Sequence, residues 1–347
     1  MINRPRAAAW VWVVAAGCTA PPWAVENPAR FGLDEAELEQ AFELAEEYTF
    51  MHSLLVAREG ALVGEAYFRG YGSEVPHTVM SVTKSVTSAA VGIAVDQGLV
   101  ELDEEVAPWF PEYDATIEDP RVRQVTVEHL LHMRGGFPDD HDSFWELYGS
   151  DDWIGATLAQ TLVGDPGESW SYSTFSTHLL SGVLTRAAGV SLPEYTSEHL
   201  CYPAEMYCWS WALDPQGVAF GGSEQMLTPV DMVRFGELFR ASGKVKRRQV
   251  VPSSWVEASL QPQAGGDWTW GEFEDLGYGR LWWTGRLADH QVFFALGHGG
   301  QYVLVAPEAE LVVATTAYWQ IGWEDADYQE RLVGELIARH VLGALED

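Results

Sequence analysis

The segment Met80-Ser81-Val82-Thr83-Lys84-Ser85-Val86-Thr87-Ser88 carries the most informative pattern in this 347-residue chain. From residue 81 to residue 98 the apolar residues recur at helical spacing and Gly98 supplies a stop, so we predict a helix there. Ser81 and Lys84 stand three residues apart at its start and therefore project from the same face. A serine hydroxyl becomes a nucleophile when a base takes its proton, and a lysine with a lowered pKa can be that base.

Lys84 is unusual for the kind of segment in which it lies. The chain has only three lysines, and the other two, Lys244 and Lys246, stand with Arg247 and Arg248 in a stretch that we interpret as a solvated turn. Lys84 instead lies inside an apolar helical run, where an unpaired ammonium would be costly. Catalysis explains this position better than packing does, so we predict that Ser81 is a nucleophile and Lys84 its activating base.

Four later segments accompany this motif. They are Val125-Thr126-Val127-Glu128-His129-Leu130-Leu131 with Gly135-Gly136, then Pro166-Gly167 with Trp170-Ser171-Tyr172-Ser173-Thr174, then Gly221-Gly222 through Leu227-Thr228-Pro229-Val230-Asp231-Met232, and Gly297-His298-Gly299-Gly300-Gln301. Together with residues 80–88 they resemble, in the same order, the serine β-lactamase and penicillin-binding-protein superfamily. The resemblance covers residues 54–316 and is greatest to the class C-like branch that contains esterases and 6-aminohexanoate-dimer hydrolases.

The resemblance implies roles for two more positions. Tyr172 matches the tyrosine of the family's Tyr-x-Asn motif, which implies that it shares a proton with Lys84 and delivers it to the leaving group. A neighbouring ammonium is expected to lower the pKa of this phenol. The oxyanion hole is expected to use the backbone N–H groups of Ser81 and Gln301.

Two departures from the family pattern bear on the substrate. Thr174 replaces the asparagine that grips the acylamino group of β-lactams, and His298 replaces the lysine that helps to hold their carboxylate. We expect Thr174 and His298 to bind substrate beside Gly299 and Gly300, whose missing side chains allow close approach. These changes favour hydrolysis of a small ester or amide through an acyl-enzyme at Ser81. The alternatives are a β-lactamase or D,D-peptidase, and a non-catalytic penicillin-binding-like sensor or binding protein.

The order of predicted elements indicates an α+β fold. We predict helices at residues 33–49 and 332–341, a hairpin of residues 53–57 and 61–69, and strands at 279–283, 291–296, 302–306 and 311–318. The fold expected is β-lactamase/transpeptidase-like, with an antiparallel sheet built from both termini, flanking helices and an inserted, mainly helical lobe. The domain would span residues 30–345, with an α/β lobe at 30–100 and 277–345 and a helical lobe at 101–276.

The charge of the chain excludes one class of partner. With 51 acidic and 20 basic residues the formal net charge is −31, and a polyanionic nucleic acid would be repelled. His129 and His132 lack the remaining ligands of a metal site, so we predict neither a metal nor another cofactor. A small-molecule ester, amide or β-lactam-like compound is the partner expected.

The first residues have the layout of a secretion signal. Arg4 and Arg6 precede the apolar run 7–16, and Cys18 follows in a sequence that resembles a bacterial lipobox. We predict a signal peptide over residues 1–24 and an exported bacterial protein, either periplasmic or anchored to the membrane by a lipid at Cys18. Outside the cytoplasm Cys201 and Cys208 could form a disulfide, and two buried thiols are an equal alternative.

Overall fold

An eight-stranded antiparallel sheet forms the centre of the protein. The computed structural model describes residues 9–12 and 23–346. In spatial order the sheet runs β3-β2-β14-β13-β12-β11-β10-β9, so strands from both ends of the chain meet at the β2–β14 pair. The strands of this sheet are β2 (Met51–Arg58), β3 (Ala61–Tyr67), β9 (Ala264–Trp270), β10 (Phe273–Tyr278), β11 (Trp283–Leu287), β12 (His290–Gly297), β13 (Gln301–Ala306) and β14 (Leu311–Ala317). The predicted α+β sheet from both termini is thereby confirmed.

Ten α-helices lie in the described chain, and short strands pair between them. The helices are α1 (Glu35–Glu47), α2 (Val82–Asp96), α3 (Val127–Leu131), α4 (Asp140–Tyr148), α5 (Trp153–Leu158), α6 (Thr174–Ala188), α7 (Leu192–Thr196), α8 (Pro229–Arg240), α9 (Ser253–Ser259) and α10 (Trp323–Leu336). The short strands are β1 (Ala9–Trp12), β4 (His77–Thr78), β5 (Ser210–Leu213), β6 (Met226–Leu227), β7 (Lys244–Val245) and β8 (Arg248–Gln249). Single turns of 3-10 helix span Pro28–Phe31, Ala107–Trp109, Pro111–Thr116 and Pro120–Gln124, and π-helical turns span Ser197–Cys201 and Ile337–Val341.

Both faces of the sheet are covered, and its central strands β13 and β14 are buried at every position. In β13, Val303 and Val305 face the core formed with α2 and α8, whereas Tyr302 and Leu304 face the core formed with α1 and α10. This division follows from the two-residue period of a strand. The helix that begins after Ser81 is therefore held between the sheet and the helical part of the molecule.

The structure corrects the prediction at the β9 edge of the sheet. Residues 279–282, predicted as part of a strand, form the turn between β10 and β11, where the Gly279 N–H donates to the Trp282 carbonyl at 2.9 Å. Strands β9 and β10 were missed because β9 is largely exposed and its pairing with β10 shifts register twice. An exposed, irregular edge strand lacks the regular alternation by which strands are recognised.

The same strands change the predicted division into lobes. Residues 264–278 belong to the sheet, and α8 packs against β13 and β14. The prediction that the helical lobe extends to residue 276 is therefore wrong. The basic stretch 244–248, by contrast, lies in the exposed β7–β8 hairpin, in agreement with its interpretation as a solvated turn.

Cys201 and Cys208 are joined in a disulfide, with their Cα atoms 6.0 Å apart. The chemistry left open by the sequence is thus decided in favour of the bond. Cys18 and most of the predicted signal peptide lie outside the described residues, and residues 9–12 form the strand that pairs with β5. In the part of the chain that the structure describes, no helix combines the length and apolar character needed to cross a bilayer.

Candidate active site

Ser81 stands at the start of α2, directly before its first helical residue. Met80 precedes it with a φ of 49°, a left-handed conformation that is uncommon for a side chain of this kind. Behind Ser81, Gly297 of β12 packs so closely that an added Cβ would lie 2.2 Å from the Val79 carbonyl oxygen. The end of β12 is therefore held against the turn that presents the Ser81 hydroxyl.

Lys84 is buried one helical turn below Ser81, and only 1% of its surface is exposed. Its Nζ lies 2.9 Å from Ser81 Oγ, 2.7 Å from Thr174 Oγ1 and 2.7 Å from the Gly222 carbonyl oxygen. Burial lowers the pKa of Lys84 to about 7, although the charge of Asp140 acts in the opposite direction. A neutral amine has two N–H groups and one lone pair. Donation to Thr174 and Gly222 leaves that lone pair for the Ser81 hydroxyl proton.

Asp140 supports this arrangement through Thr174. Asp140 Oδ1 accepts from the Thr174 backbone N–H at 2.6 Å, and its Oδ2 lies 2.5 Å from Thr174 Oγ1. Burial raises the pKa of the Asp140 carboxyl, while Lys84 and the two bonds from Thr174 act to lower it. Thr174 begins α6, where the helix dipole favours a carboxylate. A continuous hydrogen-bonded chain thus joins Asp140, Thr174, Lys84 and Ser81.

Tyr172 completes the polar centre of the site. The Lys84 Nζ lies 4.8 Å from the centroid of the Tyr172 ring, and the Ser81 side chain is close enough to the phenol to act toward a lower pKa of Tyr172. The Tyr172 ring is stacked on Trp283, with centroids 6.1 Å apart. Burial raises the pKa of Tyr172 well above its ordinary value, so the lowering expected from a neighbouring ammonium does not prevail. The phenol is therefore protonated at neutral pH.

The Gly221–Gly222 stretch positions the carbonyl groups that face α2. Thr87 Oγ1 donates to the Gly221 carbonyl at 2.7 Å, and the Gly221 N–H donates to His178 Nδ1 at 3.4 Å. His178 Nε2 lies 3.0 Å from Asp214 Oδ2, and both side chains are fully buried. Gly222 cannot carry a side chain, because an added Cβ would lie 2.3 Å from the Thr174 carbonyl oxygen. Close packing at Gly222 thus brings its carbonyl to Lys84.

The turn after β12 presents the His298 side chain to the cavity and buries the Gln301 side chain. Gln301 is fully buried, and its side chain bonds to the His298 carbonyl, the Ala317 carbonyl and the Ala317 N–H. His298 lines the cavity beside Ser81, whereas Gln301 does not. The oxyanion role predicted for Gln301 concerns its backbone N–H, on which these side-chain contacts do not bear, so that role stays a prediction; its backbone pairs with that of Gly297. Gly299 and Gly300 form the turn between the strands, with φ values of 86° and 104°.

Thr174 and His298 both line the cavity, so their predicted substrate contacts stay predictions. The Thr174 hydroxyl is already bonded to Lys84 and Asp140. The His298 Nε2 lies 3.0 Å from the Ile321 carbonyl oxygen, and burial lowers the pKa of this imidazole. At neutral pH His298 is uncharged and does not reproduce the lysine that it replaces.

The cavity above Ser81 has a volume of about 900 Å³. Its described lining includes eight aromatic side chains, four carboxylates and no lysine or arginine. Sequence reasoning missed two of the carboxylates that matter here, Asp140 and Glu224. Asp140 follows the Gly135-Gly136 motif and Glu224 follows Gly221-Gly222, so both lie beside recognised segments, but only the folded chain brings them to Ser81.

The pH dependence of activity tests the state of Lys84. Because the base must be neutral, kcat/KM is expected to fall about tenfold per pH unit below the pKa of Lys84, which is about 7, and to level off above it. In Asp140→Asn the charge that raises this pKa is removed, so the acid limb should move to lower pH. Asp142→Asn, an exposed change on the same helix, should keep the wild-type profile. A flat profile from pH 6 to pH 8 would contradict this assignment.

The chain is similar in sequence to known proteins. The model of the family described as Beta-lactamase matches residues 49–336. The 6-aminohexanoate-dimer hydrolase of Paenarthrobacter ureafaciens is 25% identical over 304 residues, which cover 82% of this chain and 75% of that protein. Esterase EstB of Burkholderia gladioli is 24% identical over 288 residues, which cover 72% of this chain and 71% of that protein.

The fold also resembles solved structures. The octameric penicillin-binding protein homologue from Pyrococcus abyssi superposes with a TM-score of 0.69 at 19% identity, covering 90% of this chain and 78% of the other. At this identity the likeness concerns the fold alone.

Proposed function

The chain belongs to the β-lactamase family, and from that premise we propose that it is a serine hydrolase which cleaves small esters or amides through an acyl-enzyme at Ser81. The observation that carries the proposal is the Lys84 amine, buried with a lowered pKa, 2.9 Å from the Ser81 hydroxyl oxygen. A buried cationic residue kept for packing alone would need a counter-ion in contact with it. The nearest carboxyl group instead reaches Lys84 through Thr174.

In the first step Ser81 Oγ attacks the carbonyl carbon while its proton passes to the neutral Lys84 amine. The carbonyl oxygen becomes an oxyanion that needs N–H donors. One donor is the Ser81 N–H at the start of α2. The family resemblance implies the Gln301 N–H as the second, and Gln301 pairs with Gly297, which packs directly against Val79. The Ser81 N–H has no hydrogen-bond partner among the described residues.

In the second step the proton gained by Lys84 moves to the leaving oxygen or nitrogen through the Tyr172 phenol, which accepts one proton and releases another. The leaving group departs and the acyl group stays on Ser81. A water molecule then attacks the ester, Lys84 and Tyr172 take its proton, and Ser81 Oγ recovers a proton as the acid leaves. Because burial keeps Tyr172 protonated, it acts as a relay and not as a standing phenolate.

The charge of the cavity favours esters and amides over β-lactams. Penicillins and cephalosporins carry a carboxylate, and the lining offers it no lysine or arginine, an uncharged His298 and the acidic residues Asp140, Glu224 and Asp327. Glu330 adds little to the repulsion at neutral pH, because burial raises its pKa to about 8. Like charges in a shielded cavity repel, which weakens binding of such a substrate. We therefore place carboxylesterase or amidase activity before β-lactamase or D,D-peptidase activity.

A substrate screen tests this order. We expect kcat/KM for p-nitrophenyl butyrate to exceed that for nitrocefin by about 100-fold, since two unfavourable carboxylate contacts of about 1.4 kcal/mol each would produce this ratio. Intact-mass measurement after a fluorophosphonate should show one adduct, mapped to Ser81. Faster hydrolysis of nitrocefin would establish the β-lactamase alternative. No adduct would favour the inert binder, and a persistent penicillin adduct the sensor.

We also propose that the protein is exported and matures outside the cytoplasm. The Cys201–Cys208 disulfide supports export, because such bonds persist in oxidising compartments. The Arg4, Arg6 and Cys18 pattern at the amino terminus supports it independently. Fractionation of bacterial cells that express the full chain and its Cys18→Ala variant would detect export and lipid anchoring. Recovery of both proteins from the cytoplasm alone would contradict the proposal.

A further inference from the structure

One carboxylate in the cavity wall, that of Glu224, has no hydrogen-bond or ion-pair partner among the described residues. Asp140 is bonded to Thr174, Glu330 accepts from the Gly299 N–H at 2.8 Å, and Asp327 is paired with Arg331 at 2.6 Å. The Glu224 side chain, in contrast, makes no hydrogen bond or ion pair with the described residues. Burial raises the pKa of Glu224 to about 7, and no neighbouring charge or hydrogen bond offsets that effect. A half-buried carboxylate in this condition gains stability from a ligand that supplies a positive charge.

The position of Glu224 is fixed by the catalytic framework. It lies two residues after Gly222, whose carbonyl accepts a hydrogen bond from Lys84 Nζ. It directly precedes Gln225, whose N–H donates to Thr83 Oγ1 at 3.1 Å. Its own carbonyl accepts from the Ala212 N–H at 3.3 Å. The backbone on both sides of Glu224 is thus bonded to α2 or to β5. The backbone that carries the Glu224 side chain is consequently fixed at the wall of the cavity that contains Ser81.

Aromatic rings provide the second half of a cation site. Tyr148 is close enough to Glu224 for the carboxylate to add to the rise in the pKa of Tyr148, whose main cause is burial. Phe144 is stacked on Tyr148 with centroids 5.6 Å apart, and Trp145 meets the Phe144 ring edge-on at 5.2 Å. All three rings line the cavity. Aromatic faces attract alkylammonium groups, most strongly where water is excluded.

We propose that this cavity selects substrates that carry an ammonium group, which pairs with the Glu224 carboxylate against the rings of Phe144 and Tyr148. The inference rests on the proposed function, because it specifies the substrate of the same site. The Glu224 carboxylate attracts the ammonium group by its charge, and it offers no such attraction to a neutral or anionic group. A neutral group of the same shape would leave Glu224 unpaired, and an anionic group would be repelled.

Matched esters test the selectivity on both sides of the scissile bond. For the acyl side, p-nitrophenyl 4-(trimethylammonio)butanoate is compared with p-nitrophenyl 5,5-dimethylhexanoate, in which a tert-butyl group replaces the cation. For the alcohol side, acetylcholine is compared with 3,3-dimethylbutyl acetate. We expect the cationic ester of at least one pair to have a kcat/KM about tenfold higher, mainly through a lower KM. Equal values in both pairs, or a preference for the neutral esters, would overturn the proposal.

The Glu224→Gln variant tests the assigned carboxylate. It preserves the size of the side chain, so the cationic-to-neutral ratio of kcat/KM should fall about tenfold as the charge is removed. The control is Glu308→Gln, an exposed change in the turn between β13 and β14, at the opposite end of the sheet strands from Gly299. It should keep the wild-type ratio. A wild-type ratio in Glu224→Gln would exclude Glu224 as the cation partner.

Failure of the substrate inference can be told from failure of the proposed function. Hydrolysis of the neutral esters, and its loss in Ser81→Ala, reports on the serine hydrolase activity alone. Binding of butyltrimethylammonium to the Ser81→Ala protein, followed by the fluorescence of the cavity tryptophans, reports on the cation site without any turnover. We expect Glu224→Gln to weaken that binding about tenfold. Unaltered binding would count against the site even in an active hydrolase.

Discussion

Replacing Ser81 with alanine is expected to lower kcat/KM for ester hydrolysis by about 10⁴-fold or more, a loss of at least about 5 kcal/mol of transition-state stabilisation. The hydroxyl is the atom that bonds to the substrate carbon, and neither Lys84 nor Tyr172 can replace it as a nucleophile. The fold should persist, because the change removes only the Oγ that faces Lys84 and Tyr172. Initial rates measure the loss of hydrolysis, and fluorophosphonate labelling measures the loss of the nucleophile.

Ser88 offers a matched control for Ser81 on the same helix. It is fully buried, and its hydroxyl makes no hydrogen bond in the described structure. Ser88→Ala should therefore retain activity within about twofold, as expected when no bonded group is lost. Near-UV circular dichroism of both variants would establish that the aromatic environment is preserved. Residual activity above about 10% in Ser81→Ala would show that another residue carries the nucleophile.

Replacing Lys84 with methionine is expected to lower kcat/KM by about 10³- to 10⁴-fold, the range for loss of a positioned general base. Methionine fills a similar volume in the buried position but cannot accept a proton from Ser81. The acid limb of the pH profile near pH 7 should disappear, because the group that titrates there is absent. Rates measured from pH 5 to pH 9 would detect both effects.

Two further variants separate catalysis from structure at Lys84. Lys246→Met removes an exposed lysine that pairs with Glu205 on the surface, and should leave kcat/KM within about twofold. Lys84→Ala leaves a space in which added ethylamine can act as the base, so the rate should rise with the concentration of neutral amine. A Lys84→Met protein that is folded and retains the acid limb would refute the role of this lysine.

The elements nearest to the catalytic motif were predictable because their sequence patterns are local. The helix predicted at residues 81–98 is observed at Val82–Asp96, and the predicted strand at 302–306 is observed at Gln301–Ala306. Both segments are almost wholly buried and their apolar residues recur with the period of the element, so local pattern and burial lead to the same structure. Strand β9 was missed because its residues are largely exposed and show no regular apolar pattern.

Some features of the site depend on distances that no local pattern contains. Asp140 lies 34 residues from Thr174, and Gly222 lies 138 residues from Lys84, yet both pairs are hydrogen-bonded. The His298 side chain lines the cavity and the Gln301 side chain does not, which follows from how the turn between β12 and β13 faces α2. The pKa of Tyr172 depends on how completely the surrounding rings exclude water, and this exclusion outweighs the effect expected from the lysine.

The sequence by itself determined which groups can do chemistry: a serine and a lysine one helical turn apart, a tyrosine in a matching motif, and an overall negative charge. Helical periodicity and residue chemistry are local properties, and they survive without knowledge of the fold. Only the tertiary structure decided the charge states and the complement of carboxylates around Ser81, including the unpaired Glu224. Desolvation and hydrogen bonding act over a few ångströms in space, and chain folding alone brings those groups within that distance.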